Sequence, residues 1–283
     1  MMKRKEIAQE TVKIMEQGYY EYQGKTVDIR AAQNDSEARS VLITPDEGAV
    51  LVRQSRERGE QLAGFNPAQQ QLKQEVTPRA TVEAILNKSA AGLQNIGVLN
   101  FASAKNPGGG FLNGAMAQEE SLAASSGLYG TQLRNKAYYE ANRECKSMMY
   151  TDHAIYSPDV VFFRNEQFEL LETPVRASVL TLPAVNYGQV VLKGEDTAQA
   201  AKVMKDRMRL ALAIFAHKGD KNLILGAYGC GVFRNNPALV AVWWKELLED
   251  EGYGVFFDRI EYAVLDHKGG ACIRAFEETF GGL

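Results

Sequence analysis

Cysteine is scarce in this sequence, and its three copies lie far apart. Cys145, Cys230 and Cys272 are an odd number, and no two of them stand close together in the chain. This spacing excludes a disulfide framework and a close-set zinc site. We therefore expect a protein that folds without cross-links, in the reducing environment of the cytoplasm.

Long apolar runs are missing as well. No stretch of about eighteen consecutive apolar residues occurs, so the sequence predicts no membrane span. The basic start, Met1 to Lys5, is followed by a charged amphipathic pattern instead of the apolar stretch of a secretion signal. We expect neither membrane association nor secretion.

Positive charge is not in excess, because the formal net charge is -3 at pH 7. A broad electropositive surface is therefore excluded, and we expect no direct binding of nucleic acid. A polyanionic ligand would have to be held by local hydrogen-bond donors. His153, His217 and His267 are widely separated, and neither they nor the cysteines show the spacing of metal ligands. We expect no metal and no cofactor.

The sequence does contain a regular alternation of helix and strand patterns from residue 76 onward. An apolar run at 96–102 predicts a buried strand. Further strands are predicted at 154–163, 177–183, 222–227 and 259–265, and helices at 80–91, 117–129, 135–147, 196–217, 237–250 and 270–280. Such alternation predicts a layered α/β fold with a mixed, largely parallel sheet.

The first 75 residues follow a different pattern. They predict a helix at 1–17, extended structure around Gly24, a strand at 41–43 and a surface helix or connection at 53–74. We therefore divide the chain into an N-terminal, mostly helical extension, residues 1–75, packed on a catalytic core, residues 76–283.

A glycine-rich loop follows the predicted strand at 96–102 and leads into a helix. Its three successive glycines, Gly108, Gly109 and Gly110, can adopt φ > 0 and bring backbone N–H groups against a ligand. The helix start adds its dipole, so the loop is suited to phosphate. A merely flexible loop is the alternative, but ligands bind at the carboxyl ends of strands in such sheets, which favours binding.

A second glycine cluster, residues 226–235, again stands between an apolar strand and a helix. Its glycine order reverses that of the dinucleotide-binding motif, which disfavours a nicotinamide-dependent oxidoreductase. Two such loops on separate strands would hold a diphosphate from both sides, which suits ADP-ribose. In this loop Cys230 fits a small buried residue better than a nucleophile, because no histidine is near it in sequence.

Gln118, Glu119 and Glu120 stand where the first loop enters its helix. Neighbouring helical residues point about 100° apart, so the two carboxylates do not face each other across one bond as in the usual glycosidase pair. One carboxylate must then serve as both acid and base. The alternative is a solvated first turn whose acidic residues complement the helix dipole. The adjacent glycine loops favour the catalytic interpretation.

On these motifs the chain resembles the poly(ADP-ribose) glycohydrolases, specifically the shorter bacterial-type group with a macrodomain core. The signature of that family is GGG, a short spacer and QEE, which stand here as Gly108–Gly110 and Gln118–Glu120. The second-loop string at 226–233 is also similar. The resemblance covers residues 76–280 in element order and implies a three-layer α/β/α macrodomain-like mixed sheet with an N-terminal, mostly helical extension.

The resemblance implies an exo-hydrolase that cuts ribose–ribose O-glycosidic bonds in poly(ADP-ribose) and releases ADP-ribose. Glu120 would be the general acid and base, with a raised pKa; Glu119 would hold ribose hydroxyls and Gln118 would order the site. The remaining substrate contacts implied are Gly108, Gly109 and Gly110 at the distal ribose and diphosphate, Gly229, Cys230, Gly231 and Val232 as the second phosphate loop, and Phe233 beside the distal ribose.

One departure from the family pattern concerns Ser103. Many macrodomains and the larger animal glycohydrolases carry asparagine five places before the triple glycine, where this chain has Ser103. One distal-ribose contact would then pass to another residue, such as Asn113.

Two other functions remain open at the level of sequence. A non-catalytic ADP-ribose-binding macrodomain would have no need of the carboxylates in Gln118–Glu120. An enzyme that removes single ADP-ribose units from ADP-ribosylated proteins or from nucleic acid would share every motif, and only its substrates separate it from a polymer hydrolase.

Overall fold

The computed structural model describes residues 3–65 and 72–281, and of residues 63–65 it describes the backbone alone. The helices in these ranges are α1 (Arg4–Gln17), α2 (Arg30–Arg39), α3 (Pro45–Phe65), α4 (Thr81–Ala90), α5 (Gln118–Ser125), α6 (Leu128–Arg134), α7 (Lys136–Glu144), α8 (Tyr187–Leu192), α9 (Thr197–Lys218), α10 (Pro237–Glu249) and α11 (Ala271–Phe280). The strands are β1 (Tyr19–Tyr22), β2 (Lys25–Asp28), β3 (Val41–Ile43), β4 (Lys73–Thr77), β5 (Ile96–Phe101), β6 (Ala154–Arg164), β7 (Leu170–Leu182), β8 (Asn222–Leu225) and β9 (Arg259–Ala263). None of the helices within these ranges is both long and apolar enough to cross a membrane.

Seven of the strands form one mixed sheet in the order β3-β6-β7-β5-β8-β9-β4. The strands from β7 to β4 run parallel to one another, whereas β6 pairs antiparallel with β7, and β3 pairs antiparallel with β6. The prediction of a mixed, largely parallel sheet is thus confirmed. The strands β1 and β2 form a separate hairpin around Gly24, as the sequence predicted.

Helices cover both faces of this sheet. On one face Val98 of β5 packs with Leu122 of α5, and on the other Leu99 packs with Met208 of α9 and Trp244 of α10. Consecutive strand residues point to opposite faces, so an apolar run such as β5 can be buried only between two layers of helices. The result is the expected three-layer α/β/α arrangement.

The N-terminal segment both packs on the sheet and contributes to it. Ile7 and Ala8 of α1 pack against Phe111 and Ala123 of the core. The strand β3 is an edge strand of the main sheet, and the boundary suggested between residues 75 and 76 falls inside β4. Of the predicted surface segment at 53–74, α3 takes the residues up to Phe65, while residues 66–71 lie outside the described residues.

Three details of the predicted secondary structure are wrong. The helix predicted at 117–129 is two helices, because Ser126 between α5 and α6 is extended and bridges to Phe162 of β6. The strand predicted at 177–183 begins earlier, because β7 continues its antiparallel pairing with β6 back to Leu170. The short helix α8 was not predicted.

Candidate active site

Both glycine loops lie at the same edge of the sheet, because β5 and β8 are parallel neighbours and each loop follows its strand. Between the second loop and the start of α5 is a cavity of about 530 Å³, which we call the main cavity. Its lining includes these residues singled out from the sequence: Gln118, Glu119, Glu120, Gly229, Cys230, Gly231, Val232 and Phe233. The structure therefore brings together the QEE motif and the second loop.

The second loop needs glycine at position 229. Its backbone there has φ +72, and a Cβ would lie 2.6 Å from both Ala184 Cβ and Asn235 Nδ2. Asn235 in turn donates from that amide to the carbonyls of Val185 and Gly229, at 2.8 and 3.0 Å. A buried amide thus fixes the loop from behind. Val232, at the tip, is 84% exposed and free to meet a ligand.

The triple glycine forms the wall beside Glu120. Gly108 and Gly109 have φ +64 and +60, and Gly109 leaves so little room that a Cβ there would lie 2.4 Å from Glu120 Oε1 and 3.1 Å from Glu119 Oε2. Both carboxyl groups of the motif therefore approach the same point of the loop. Gly109 and Gly110 line a second cavity of about 530 Å³, and Gly108 is buried behind them.

Glu119 is buried, with 2% of its surface exposed. Its Oε2 accepts a hydrogen bond from the backbone of Ser103 at 2.6 Å, and its Oε1 accepts from Gln132 Nε2 at 2.9 Å and Asn100 Nδ2 at 3.3 Å. Burial raises the pKa of Glu119 to about 8, against the lowering effect of these donors, and the charge of Glu120 adds to the rise.

Glu120 is less buried and lies between the two cavities, lining both. Its Oε1 accepts from the backbone N–H of Gly110 at 2.9 Å, and its Oε2 accepts from that of Ala117 at 3.0 Å. The two amides hold the carboxyl group in one orientation. A carboxylate so placed can accept a proton from a group in either cavity.

Gln118 anchors the start of α5 to the end of β5. Its Nε2 donates to the carbonyl of Leu99 at 2.8 Å, and its Oε1 accepts from the backbone of Phe101 at 2.8 Å. These bonds use backbone groups that lie beside the cavity, so the orientation of α5 and of its two glutamates is tied to the sheet.

Two buried polar residues that sequence reasoning missed donate hydrogen bonds to Glu119. Gln132 of α6 donates to Glu119 and accepts from the backbone N–H of Gly108 at 2.8 Å, while Asn100 donates to both Glu119 and Thr181. Asn100 carried a signal, because it is a polar residue inside an apolar strand. Gln132 had no such signal in the sequence, because its contact with Glu119 depends on how α6 packs against the glycine loop.

The main cavity offers little positive charge to a diphosphate. Among the described residues that line it, Arg79 is the one basic side chain, and it faces Glu83 and the buried Glu261 at 3.6 and 3.5 Å. The backbone N–H groups of Gly108, Gly109 and Gly110 already donate to Gln132, Asn106 and Glu120, so the backbone of the second loop is the main source of donors for an anion. In the described part of the chain, no group of three or more His, Cys, Asp or Glu side chains is arranged to hold a metal ion.

Two of the cysteines, far apart in sequence, meet at the cavity. Cys230 and Cys272 both line it as free thiols. A hydrogen bond between their side chains raises the pKa of Cys230 and lowers that of Cys272. The raised pKa disfavours the thiolate of Cys230, which agrees with its interpretation as a packing residue.

The chain is similar to known glycohydrolases over nearly its whole length. The family model described as "Microbial-type PARG, catalytic domain" matches residues 8–165. The crystal structure of poly(ADP-ribose) glycohydrolase from Thermomonospora curvata is 38% identical, with a TM-score of 0.88, and the match covers 98% of this chain and 99% of that one. The enzyme from Deinococcus radiodurans in complex with ADP-ribose is 39% identical, with a TM-score of 0.80, over 89% and 98% of the two chains. None of the curated protein sequences matches this chain.

Proposed function

The chain belongs to the microbial-type poly(ADP-ribose) glycohydrolases, a family of glycosidases, and we propose that it releases ADP-ribose from polymer ends with Glu120 as general acid and base. The observation that carries this proposal is the place of the Glu120 carboxyl group. It lies between two cavities and is oriented by two backbone amides. A glycosidic bond that joins a sugar in one cavity to a group in the other would lie beside this carboxyl group.

The terminal ADP-ribose unit would occupy the main cavity. Its diphosphate would accept hydrogen bonds from the backbone of the second loop, Gly229 to Val232, because glycine leaves these N–H groups open to an anion. The distal ribose would then lie between Phe233 and the QEE motif. The complex of the Deinococcus radiodurans enzyme with ADP-ribose is consistent with a site for this product in the family.

Glu120 would first donate a proton to the 2′-oxygen that leaves, while the bond from that oxygen to the anomeric carbon breaks. The negative diphosphate nearby would stabilise the cationic anomeric carbon. The resulting carboxylate would then take a proton from water as the water oxygen bonds to the same carbon. The amides of Gly110 and Ala117 would hold the carboxyl group in place through both steps.

The neighbouring residues would position substrate and catalyst. We assign Glu119 to the ribose hydroxyls and Gln118 to the orientation of α5, through its bonds to Leu99 and Phe101. Gly109 and Gly110, which adjoin the Glu120 carboxyl group, would contact the distal ribose at the border of the main cavity. The free thiols support a cytoplasmic location, and the layered fold supports a macrodomain-like core. We include both in the proposal.

Replacement of Glu120 by glutamine tests the assignment. Glu120→Gln removes the proton-transferring group but keeps its shape, so release of ADP-ribose from labelled polymer should fall by about a hundredfold to ten-thousandfold. Binding of ADP-ribose, measured by calorimetry, should stay close to wild type. The matched control is Glu140→Gln, on the exposed surface of α7, which should alter neither quantity.

The substrate class is tested with the same variants. The wild-type protein should hydrolyse polymer faster than mono-ADP-ribosylated protein or nucleic acid. A protein that binds ADP-ribose without releasing any from polymer would be a reader. Near-normal polymer turnover by Glu120→Gln would show that another group is the acid.

A further inference from the structure

The second cavity is lined by Gly109 and Gly110, which do not line the main cavity. We call it the loop cavity. It shares two lining residues with the main cavity, Ser103 and Glu120, and is of similar volume, about 530 Å³. The two spaces are therefore separated by the catalytic carboxyl group and the glycine loop. Asn113, which the sequence suggested as a distal-ribose contact, lines the loop cavity and does not line the main cavity, so we do not assign it to the terminal unit.

The lining of the loop cavity is neutral apart from Glu120. It contains the side chains of Asn106, Leu112, Asn113 and Tyr129 and, among its described residues, no lysine or arginine. A phosphate has no cationic partner there, and Glu120 would repel it. The cavity therefore suits an uncharged part of a ligand.

The polar groups of this lining are free to bind. The side-chain amides of Asn106 and Asn113 are exposed and make no hydrogen bond with any described residue. Leu112 is 40% exposed and offers apolar surface, and Tyr129 is held edge-on against Phe111, with ring centroids 4.9 Å apart. Amide groups beside an aromatic ring and an aliphatic side chain match the hydroxyls and the base of a nucleoside.

From these features we propose that the loop cavity binds the departing nucleoside of the penultimate unit of the polymer, a role that rests on the function proposed above. The 2′-oxygen of that nucleoside is the leaving group, so it must lie within reach of Glu120 while its ribose and base continue away from the main cavity. The loop cavity is the space that begins at that point. Asn106, Asn113 and Tyr129 are then specificity-determining residues.

The surroundings of the loop cavity fit a polymer that continues beyond it. Lys105 adjoins Asn106, and Arg143 of α7 donates to the carbonyl of Lys105. Neither side chain forms an ion pair with another described residue. We expect the diphosphate of the penultimate unit to leave the cavity toward these two cations. A protein-linked ADP-ribose would bring no such diphosphate.

The test removes the two free amides and compares three ligands. The double variant Asn106→Ala with Asn113→Ala keeps the backbone bonds of the loop, because only exposed side chains are shortened. The ligands are poly(ADP-ribose), free ADP-ribose and the 1″-O-methyl glycoside of ADP-ribose, which has an alkoxide leaving group but no nucleoside. The control is Asn34→Ala, an exposed asparagine on α2 outside both cavities.

The double variant should lower kcat/KM for polymer by roughly tenfold, the effect of losing about two hydrogen bonds to neutral groups. The Kd of ADP-ribose and the rate with the methyl glycoside should stay at the wild-type values. A second variant, Asn113→Trp, fills the cavity and should impair polymer cleavage alone.

Each other result has a definite meaning. Unchanged polymer kinetics in both variants would overturn the proposal while leaving Glu120 in its role. An equal loss with polymer, ADP-ribose and methyl glycoside would also overturn it, because the loop cavity would then serve the terminal unit. If wild-type protein releases no ADP-ribose from polymer, the proposed function itself fails, and the loop-cavity role falls with it.

Discussion

Gln132 donates a hydrogen bond from Nε2 to Glu119 Oε1 at 2.9 Å and accepts one at Oε1 from the backbone N–H of Gly108 at 2.8 Å. One fully buried amide thus links the triple glycine to the carboxyl group of the next motif along the chain. The loop cannot move relative to Glu119 without breaking a bond that water does not reach. Because Gln132 belongs to α6, a third element fixes the distance between the triple glycine and Glu119.

Loss of this link should affect both stability and the titration of Glu119. Gln132→Met keeps the volume of the side chain but leaves the N–H of Gly108 without a partner, so the free energy of unfolding should fall by about 1–3 kcal/mol. It also removes a donor that lowers the pKa of Glu119, so that pKa should rise. Denaturant unfolding and a pH profile of ADP-ribose binding measure the two effects; a profile equal to wild type would reduce Gln132 to a packing role.

Ligand affinity should depend on pH through Glu119. Burial raises its pKa to about 8, so the group is neutral at lower pH and becomes negative above that value, beside Glu120 and the diphosphate. The buried Asn100 Oδ1 has no partner among the described residues, so that amide can turn and accept the proton of a neutral Glu119. The affinity for ADP-ribose should fall as the pH rises through about 8, and Glu119→Gln should remove the fall. Calorimetry across this pH range measures the affinity. The control variant Glu140→Gln should show the same fall in affinity as the wild-type protein.

Alanine at Gly109 should displace Glu120. A Cβ at this position would lie 2.4 Å from Glu120 Oε1, in addition to the strain at φ +60. Gly92 makes a matched control, because its φ is +74 but nothing lies within 4 Å of its Cβ. Both variants should lose about 1–2 kcal/mol of stability from backbone strain. Only Gly109→Ala should also lose turnover, and equal kcat values in the two variants would contradict this placement of Glu120.

Asp220 should make stability depend on pH without affecting the reaction. It follows α9, at the edge of the sheet opposite the glycine loops, and accepts a hydrogen bond from Tyr156 at 2.9 Å. Burial raises its pKa to about 7 from 3.8. Asp220 therefore keeps its proton in the folded state at pH values where it is ionised in the unfolded state. The stability that this bound proton contributes is present below the pKa of the unfolded state and is lost as the pH rises toward 7.

Asp220→Asn should remove this loss. Relative to wild type the variant should be more stable by up to about 2 kcal/mol near pH 8, with a smaller difference near pH 5. Urea unfolding at the two pH values measures it, and polymer turnover serves as the internal control. A constant difference across the range would mean that Asp220 does not titrate between folded and unfolded states.

The architecture could be predicted from the sequence where burial sets a simple pattern. The apolar run at 96–102 predicted a strand covered on both faces, as β5 is, and the position of each glycine loop after a strand placed the loops at one edge. The contacts that order the site were harder to predict. Gln132 reaches Glu119 because Ser126 interrupts the predicted helix at 117–129, and that break depends on a bridge to β6 that has no local signal.

Contacts between side chains far apart in the sequence also could not be predicted. Cys230 lies in the second loop and Cys272 in α11, and nothing in their spacing predicts contact. The partners of Glu120, at Gly110 and Ala117, are close to it in sequence, but they are backbone groups that no residue type indicates. A residue's type indicates what it can bind, whereas the fold alone determines which amides it meets.

The order of strands in the sheet has a consequence for how the chain folds during its synthesis. Both border strands, β3 and β4, come from the early part of the chain, while β9, the neighbour of β4, is the last strand to be synthesised. Until β9 leaves the ribosome, β4 has no partner and presents unpaired N–H and C=O groups, a hazard for association with other chains. Slow release of the C-terminal segment, or its loss by truncation, should therefore yield aggregates instead of a smaller folded protein.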